Sequence, residues 1–278
     1  MSLMIEFYSV SRYTILCIST SGRDSTFEGE QMENLCAKTT RLSEWILWAK
    51  LAGVAFIPAR FSRKIPASEL YQAEKGESAP ILSSALVWFE TTKAKYLVNK
   101  IPFTVRFDHC SCNSIKKVAG KGQEYSDDPS AWQDIMVDDR VLDIATALDF
   151  TRLVIRPYIE PLRYKKYAVE FRVFFGPDGW LGTSSYYPQR RLPWKEFGGL
   201  ARKATRIAKK LVEVGEFPIG CSLDFLVEAK TNRLLFIEGG PPHIVLGDDS
   251  AHPCCFLPGN IKGYALGRRK YVLDEEDN

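Results

Sequence analysis

The chain has 278 residues, 45% of them hydrophobic, with 37 Lys and Arg against 34 Asp and Glu for a formal net charge of +3. That length suits one large domain or two to three small lobes around an ample core, and so small a net charge demands neither nucleic acid nor an acidic membrane surface. No apolar run reaches the length of a membrane span and the first residues lack a secretory pattern, so a cytoplasmic location is expected, with the seven irregularly spaced cysteines as reduced thiols.

Residues 1–40 combine a predicted strand over 13–18 with polar, glycine-containing sequence and no interpretable motif. A helix is predicted from Ser43, read as an N-cap ahead of Glu44, through Trp45, Leu47, Trp48 and Leu51 to Gly53. After a polar, proline-bearing link, Leu82, Ala85, Leu86, Phe89 and Lys93 recur at helical spacing over 81–97. A strand over 103–108 then places Arg106 and Asp108 on one face. The glycine-containing loop 118–129 carries Lys121 between two glycines. A strand arginine followed by such a loop can hold polyphosphate, with the guanidinium as anchor and backbone amides as cover. Taken alone, the segment reads first as a solvated loop beside a surface arginine.

The next pattern spans 153–160, 167–176 and 180–187. Alternation in the middle segment puts Val169, Phe171, Val173 and Phe175 on one face and Glu170 with Arg172 on the other, and 176–179 is a turn signal, so a hairpin is expected. A surface ion pair between Glu170 and Arg172, worth little, is the plainer reading. A helix over 196–214 follows, with Leu200, Ala204, Ile207, Ala208 and Leu211 as its apolar stripe and Arg202, Lys203, Arg206, Lys209 and Lys210 opposite. No aromatic interleaving or nucleic-acid motif accompanies these charges, so they read as a solvated face and nucleic acid is not an expected partner.

Segments 221–228 and 233–241 are apolar and joined by a polar turn, which predicts a second antiparallel hairpin. With the turn centred on Thr231, Asp224 and Glu238 oppose each other with side chains on one face. Two carboxylates among apolar neighbours either share a proton or hold a hard cation, Mg²⁺ or Mn²⁺ rather than zinc. The alternative is that Asp224 ends a strand and Glu238 faces solvent. His109, Cys110, Cys112, His243, His252, Cys254 and Cys255 permit a zinc reading. Their spacing disfavours it: Cys110 and Cys112 share a strand face that His109 does not, and the adjacent Cys254 and Cys255 suit a tetrahedral ion poorly. Residues 241–243 and 251–256 read as walls of an acceptor pocket, and 274–278 as a frayed acidic tail.

In order and spacing, the blocks 103–111, 153–159, 170–175, 222–226 and 235–238 resemble the ATP-grasp superfamily over about residues 80–245. The resemblance is greatest to the divergent clade that includes the eukaryotic cell-division-cycle protein acting as an assembly chaperone for a translation initiation factor, with phage and bacterial relatives. It implies an α+β (α/β) ATP-grasp fold, two lobes of mainly antiparallel sheet plus helices with nucleotide between them. The expected divisions are an accessory region over 1–79, a core over 80–262 split near 155/156, and a tail over 263–278.

By position, the resemblance makes Arg106 the basic residue on the nucleotide phosphates and 156–159 the hinge strand. There Arg156, Pro157, Tyr158 and Ile159 would bind cofactor, with the backbone edge at Pro157, Tyr158 and Ile159 against adenine; Glu170 joins the nucleotide set, to which the loop reading adds Lys121. Arg172 would face the γ-phosphate or an acyl phosphate, and Asp224 and Glu238 would hold Mg²⁺. Two departures stand out: arginine replaces the usual lysine at 106, and Gly240 stands where the family has asparagine. The implied activity is that of a carboxylate–amine ligase using Mg²⁺-ATP, a substrate carboxylate and an acceptor that is a small molecule, peptide or protein, with Arg106 and Arg172 catalytic. The second implied role is an ATP-binding assembly chaperone without turnover.

Overall fold

The computed structural model describes residues 9–10, 13–14, 39–110, 141–142, 145, 148–176, 179–186, 191–215, 221–240 and 271–272. The first half of the chain carries β1 (Ser9–Val10), β2 (Tyr13–Thr14), α1 (Leu42–Leu51), β3 (Arg60–Phe61), β4 (Ile65–Pro66), α2 (Ala67–Glu74), α3 (Pro80–Val98) and β5 (Phe103–Phe107). The second carries β6 (Phe150–Thr151), β7 (Leu153–Pro157), β8 (Arg163–Tyr164), β9 (Tyr167–Ala168), β10 (Glu170–Gly176), β11 (Gly179–Ser185), α4 (Trp194–Val214), β12 (Cys221–Val227), β13 (Leu234–Gly240) and β14 (Tyr271–Val272). The class is α+β with mainly antiparallel sheets, as the sequence implies.

The described residues form two compact units. One unit gathers 40–43 and 57–159. Its three-stranded sheet runs in the order β3-β7-β5, antiparallel throughout, beside a β4-β6 pair. Helix α3 buries Leu82, Ala85, Phe89 and Thr92, one stripe of a 3.6-residue period, in a core with Leu70, Phe103, Phe107 and Ile155. Pro80 occupies the first turn of α3, where a missing N–H costs nothing. The buried Glu69 carboxylate accepts the Leu82 N–H at 2.7 Å and caps that turn. The link read from sequence as merely polar holds β3, β4 and α2. Two-residue strands carry no period to detect, and a helix that buries Glu69 beside Leu70 does not look amphipathic.

The other unit contains the described residues up to 39, 44–56 and the described residues from 160 onward. Its five-stranded sheet has the order β13-β12-β10-β11-β14, antiparallel except for the parallel β11-β14 edge. Val169, Phe171, Val173 and Phe175 fill one face, as alternation predicts, against Phe197, Ala201, Ala204, Ala208 and Leu211 of α4. Each such large side chain, fully buried, stabilises by about 1.5–3 kcal/mol. Trp45 of α1 joins this core, its indole N–H donating to the Thr39 carbonyl at 2.7 Å.

Helix α1 begins one residue before the expected cap, so Ser43 lies in the first turn. The Asp108 carboxylate does the capping: it accepts the Ser43 N–H at 2.7 Å and the Ser43 hydroxyl at 2.6 Å, while the Asp108 carbonyl accepts the Leu42 N–H at 2.9 Å. Asp108 is therefore a buried structural acid beyond the end of β5 and not a partner of Arg106. Among the described residues no helix is long and apolar enough to cross a membrane.

Candidate functional site

On the sheet of the second unit, three adjacent strands place Arg172, Asp224 and Glu238 in one cross-strand row. Arg172 of β10 is registered with Asp224 of β12, and Asp224 with Glu238 of β13. The hairpin alone does not produce that second pairing. From the turn, Val227 opposes Leu234 and Phe225 opposes Phe236, a register that carried forward would set Ile237 against Asp224 and drive Glu238 to the α4 face beside Leu223. A bulge between Asp224 and Phe225 inserts one residue into β13 and restores Glu238 to the Asp224 face. The sequence expectation of facing carboxylates is met, through a bulge rather than through symmetry about Thr231.

Arg172 binds Asp224 as a fork, Nε donating to Oδ1 at 2.6 Å and Nη2 to Oδ2 at 2.5 Å. Both residues are buried, Arg172 6% and Asp224 4% exposed, and the guanidinium carbon lies 4.6 Å from the Tyr186 ring centroid. Such a pair persists in a low-dielectric site because each charge is neutralised and directionally bonded. The sequence places Glu170 beside Arg172 on one strand face; the structure adds Asp224, which is distant in the chain but opposite in the ladder. Glu170 lies opposite Leu226 and is half-buried. Ser184, opposite Arg172, and Ser222, opposite Gly240, add buried hydroxyls to the same region.

The row carries two carboxylates and one guanidinium, with an excess of negative charge and oxygen-only donors. Each Asp224 oxygen that accepts from Arg172 keeps a second lone pair. Among the described residues no three His, Cys, Asp or Glu side chains gather into a metal cluster. Two carboxylates completed by phosphate oxygens and water are how Mg²⁺ is commonly held, so this all-oxygen donor set fits that ion. Gly240, at the end of β13, supplies no side-chain ligand.

The other expected residues that are described belong to the first unit. Arg106, on β5 of the first unit, is buried and donates from Nε to the Phe107 carbonyl at 2.9 Å. Arg156 and Pro157 end β7, with Arg156 opposite Thr104. The Tyr158 N–H donates to the Pro102 carbonyl at 2.8 Å, and Ile159 is half-buried. Lys121, Cys112, His243, His252, Cys254, Cys255 and the 241–243 and 251–256 segments are outside the described residues. His109 is a satisfied core residue. Its Nε2 lies 3.0 Å from the Val141 carbonyl and must donate there, which leaves Nδ1 to accept from the Thr151 hydroxyl at 2.7 Å. Burial pushes the Cys221 thiol far above its ordinary range.

No protein-family model and no curated protein matches this sequence. Solved structures do match in fold. Cdc123 from Schizosaccharomyces pombe superposes with a TM-score of 0.52 at 13% identity, over 75% of this chain and 85% of that one. Its C-terminally truncated form gives 0.54 at 13% identity, over 88% and 94%. The D-alanine-D-alanine ligase from Coxiella burnetii gives 0.40 at 11% identity, over 79% of this chain and 51% of that chain. In fold, the chain is similar to Cdc123.

Proposed function

We propose that this chain is a Mg²⁺-ATP-dependent ATP-grasp protein that activates a substrate carboxylate for attack by an amine or other nucleophile. The Arg172–Asp224–Glu238 row carries the reading. Asp224 and Glu238 would hold the cation, which when bound would neutralise charge on the phosphate oxygens. Arg172, fixed by its fork to Asp224 and by Tyr186, presents positive charge at the edge of that site without needing to reorganise, the condition for electrostatic stabilisation of a phosphoryl group in transfer. The substrate carboxylate would take the γ-phosphoryl group of ATP, with ADP as the leaving group, and the acceptor would then displace phosphate from the acyl phosphate. No side-chain nucleophile is needed, so the residues contribute position and charge. By resemblance, Arg106, Arg156, Pro157, Tyr158, Ile159 and Glu170 join in nucleotide binding, and by the glycine-containing loop around it so does Lys121.

Gly240 favours a second reading, an ATP-binding assembly chaperone that holds nucleotide without turnover, because a ligand side chain used by the ligases is missing there. Calorimetric titration with ATP, with and without Mg²⁺, tests the shared part of both readings. Saturable Mg²⁺-dependent binding that Glu238→Gln weakens is expected; equal binding by that variant would rule out the row as the metal site. Phosphate release stimulated by pooled amino acids or peptides would then select the ligase, and binding without release the chaperone.

A further inference from the structure

The outer face of α4 is not the plain solvated face its sequence suggests. Arg202, Arg206 and Lys209 recur at i, i+4 and i+7 and line a concavity of ≈ 500 Å³ with Trp180, Gly199 and Thr205. All three cations are exposed, and among the described residues none forms an ion pair with an acid. Aromatic interleaving, absent from the helix sequence, arrives from its start and from a neighbouring strand. The Arg202 guanidinium lies 5.1 Å from the Trp194 ring centroid, and the Lys209 ammonium 5.3 Å from that of Trp180.

Both indoles are fixed. Thr205 donates to the Ala201 carbonyl at 3.0 Å, so Thr183 must donate to Thr205 at 2.7 Å and is left to accept the Trp180 N–H at 3.2 Å. Trp194 folds back onto its own helix, where a Cβ at residue 198 would stand 2.7 Å from the ring; Gly198 is the seat of that indole. Gly199 has no such reason. A Cβ there would meet nothing within 4 Å, yet glycine costs a helix interior about 1 kcal/mol relative to alanine. Its lack of a side chain leaves the floor of the concavity open.

We propose that this groove docks an acidic segment, a run of Asp and Glu, of a partner protein. Guanidinium forks match carboxylates, and the indoles hold the cations in place before binding, which lowers the ordering cost. The rings pack against the core and support cations rather than standing as open platforms for bases, and the groove is short for the several nucleotides that a single-stranded site tracks. It lies on the α4 side of the sheet, opposite the Arg172–Asp224–Glu238 row, so the proposal stands apart from the nucleotide reading.

The test titrates the full chain with an oligo-glutamate peptide at low salt, by calorimetry and by the indole N–H resonances of Trp180 and Trp194. Saturable binding that shifts both resonances is expected. Arg206→Gln and Gly199→Leu should each weaken it about tenfold, while thermal melts show both variants folded. Three results would overturn the proposal: binding that leaves the two indoles or both variants unaffected, tighter binding of oligouridylate than of peptide, and peptide binding that appears only after removal of 274–278, which would assign the groove to the chain's own acidic end.

Discussion

Burying the Arg172 guanidinium against Asp224 makes each charge depend on the other. Removing one partner strands the second in a poorly solvated site, whereas removing both does not. Asp224→Ala is therefore expected to lower unfolding stability by about 3–5 kcal/mol, and the double replacement Arg172→Met with Asp224→Leu to recover most of that, as read from urea midpoints. A single variant as stable as the parent would show that the pair is solvated. Cys221 gives a second expectation. Because burial raises its pKa, the thiol keeps its proton in the native state while the unfolded chain loses it near pH 9. Below that pH the group contributes no pH dependence, and above it stability falls as pH rises. Thiol labelling at pH 8 should leave Cys221 unreacted until denaturant is added; prompt labelling would contradict its burial. Alternation identified the face that Arg172 occupies, but a period of two says nothing about whether a face is covered, so its burial and true partner were illegible.

Among elements, α1 and β13 show how distant residues finish local structure. The N-terminus of α1 is satisfied by Asp108, which follows β5, and not by its own Ser43. Asp108→Ala should cost about 1–2 kcal/mol by chemical denaturation, and Ser43→Ala less, since the Ser43 backbone N–H would keep its acceptor. Equal losses would mean that the hydroxyl contact dominates. A local sequence pattern could place this helix start within a residue yet assign the cap wrongly, because the acceptor comes from a separate segment. The β12–β13 hairpin was legible as two apolar runs about a polar turn, but its bulge was not: inserting Ile237 changes no composition or period visible in one strand. Gly239, next to Glu238, lies where an added Cβ would overlap the Trp45 indole, so the carboxylate row and the α1 core share a tight contact.

For the whole molecule, the order of motif blocks carried more of the fold than any one block did. Strands β5, β7, β10, β12 and β13 fall in the resembling segments, whereas β3, β4 and α2 lie in a stretch too short-ranged in pattern to read. If the carboxylate row holds Mg²⁺-ATP, ligand at a hundredfold excess over its Kd should stabilise the native state by about 2.7 kcal/mol, seen as a raised Tm. The rise should vanish with EDTA and shrink in Glu238→Gln; an unchanged melt with Mg²⁺-ATP would count against nucleotide binding altogether. The Ala55 carbonyl accepts the Phe236 N–H at 2.9 Å, Phe56 bridges in parallel to Phe236, and Trp45 waits for Gly239. During synthesis, residues 57–159 leave the ribosome with their own core complete, while Trp45 and Phe56 remain without their β13 partners until that late strand emerges. Until β13 emerges, these early aromatic side chains are therefore deprived of their final packing, which makes them a target for any holdase guarding the nascent chain.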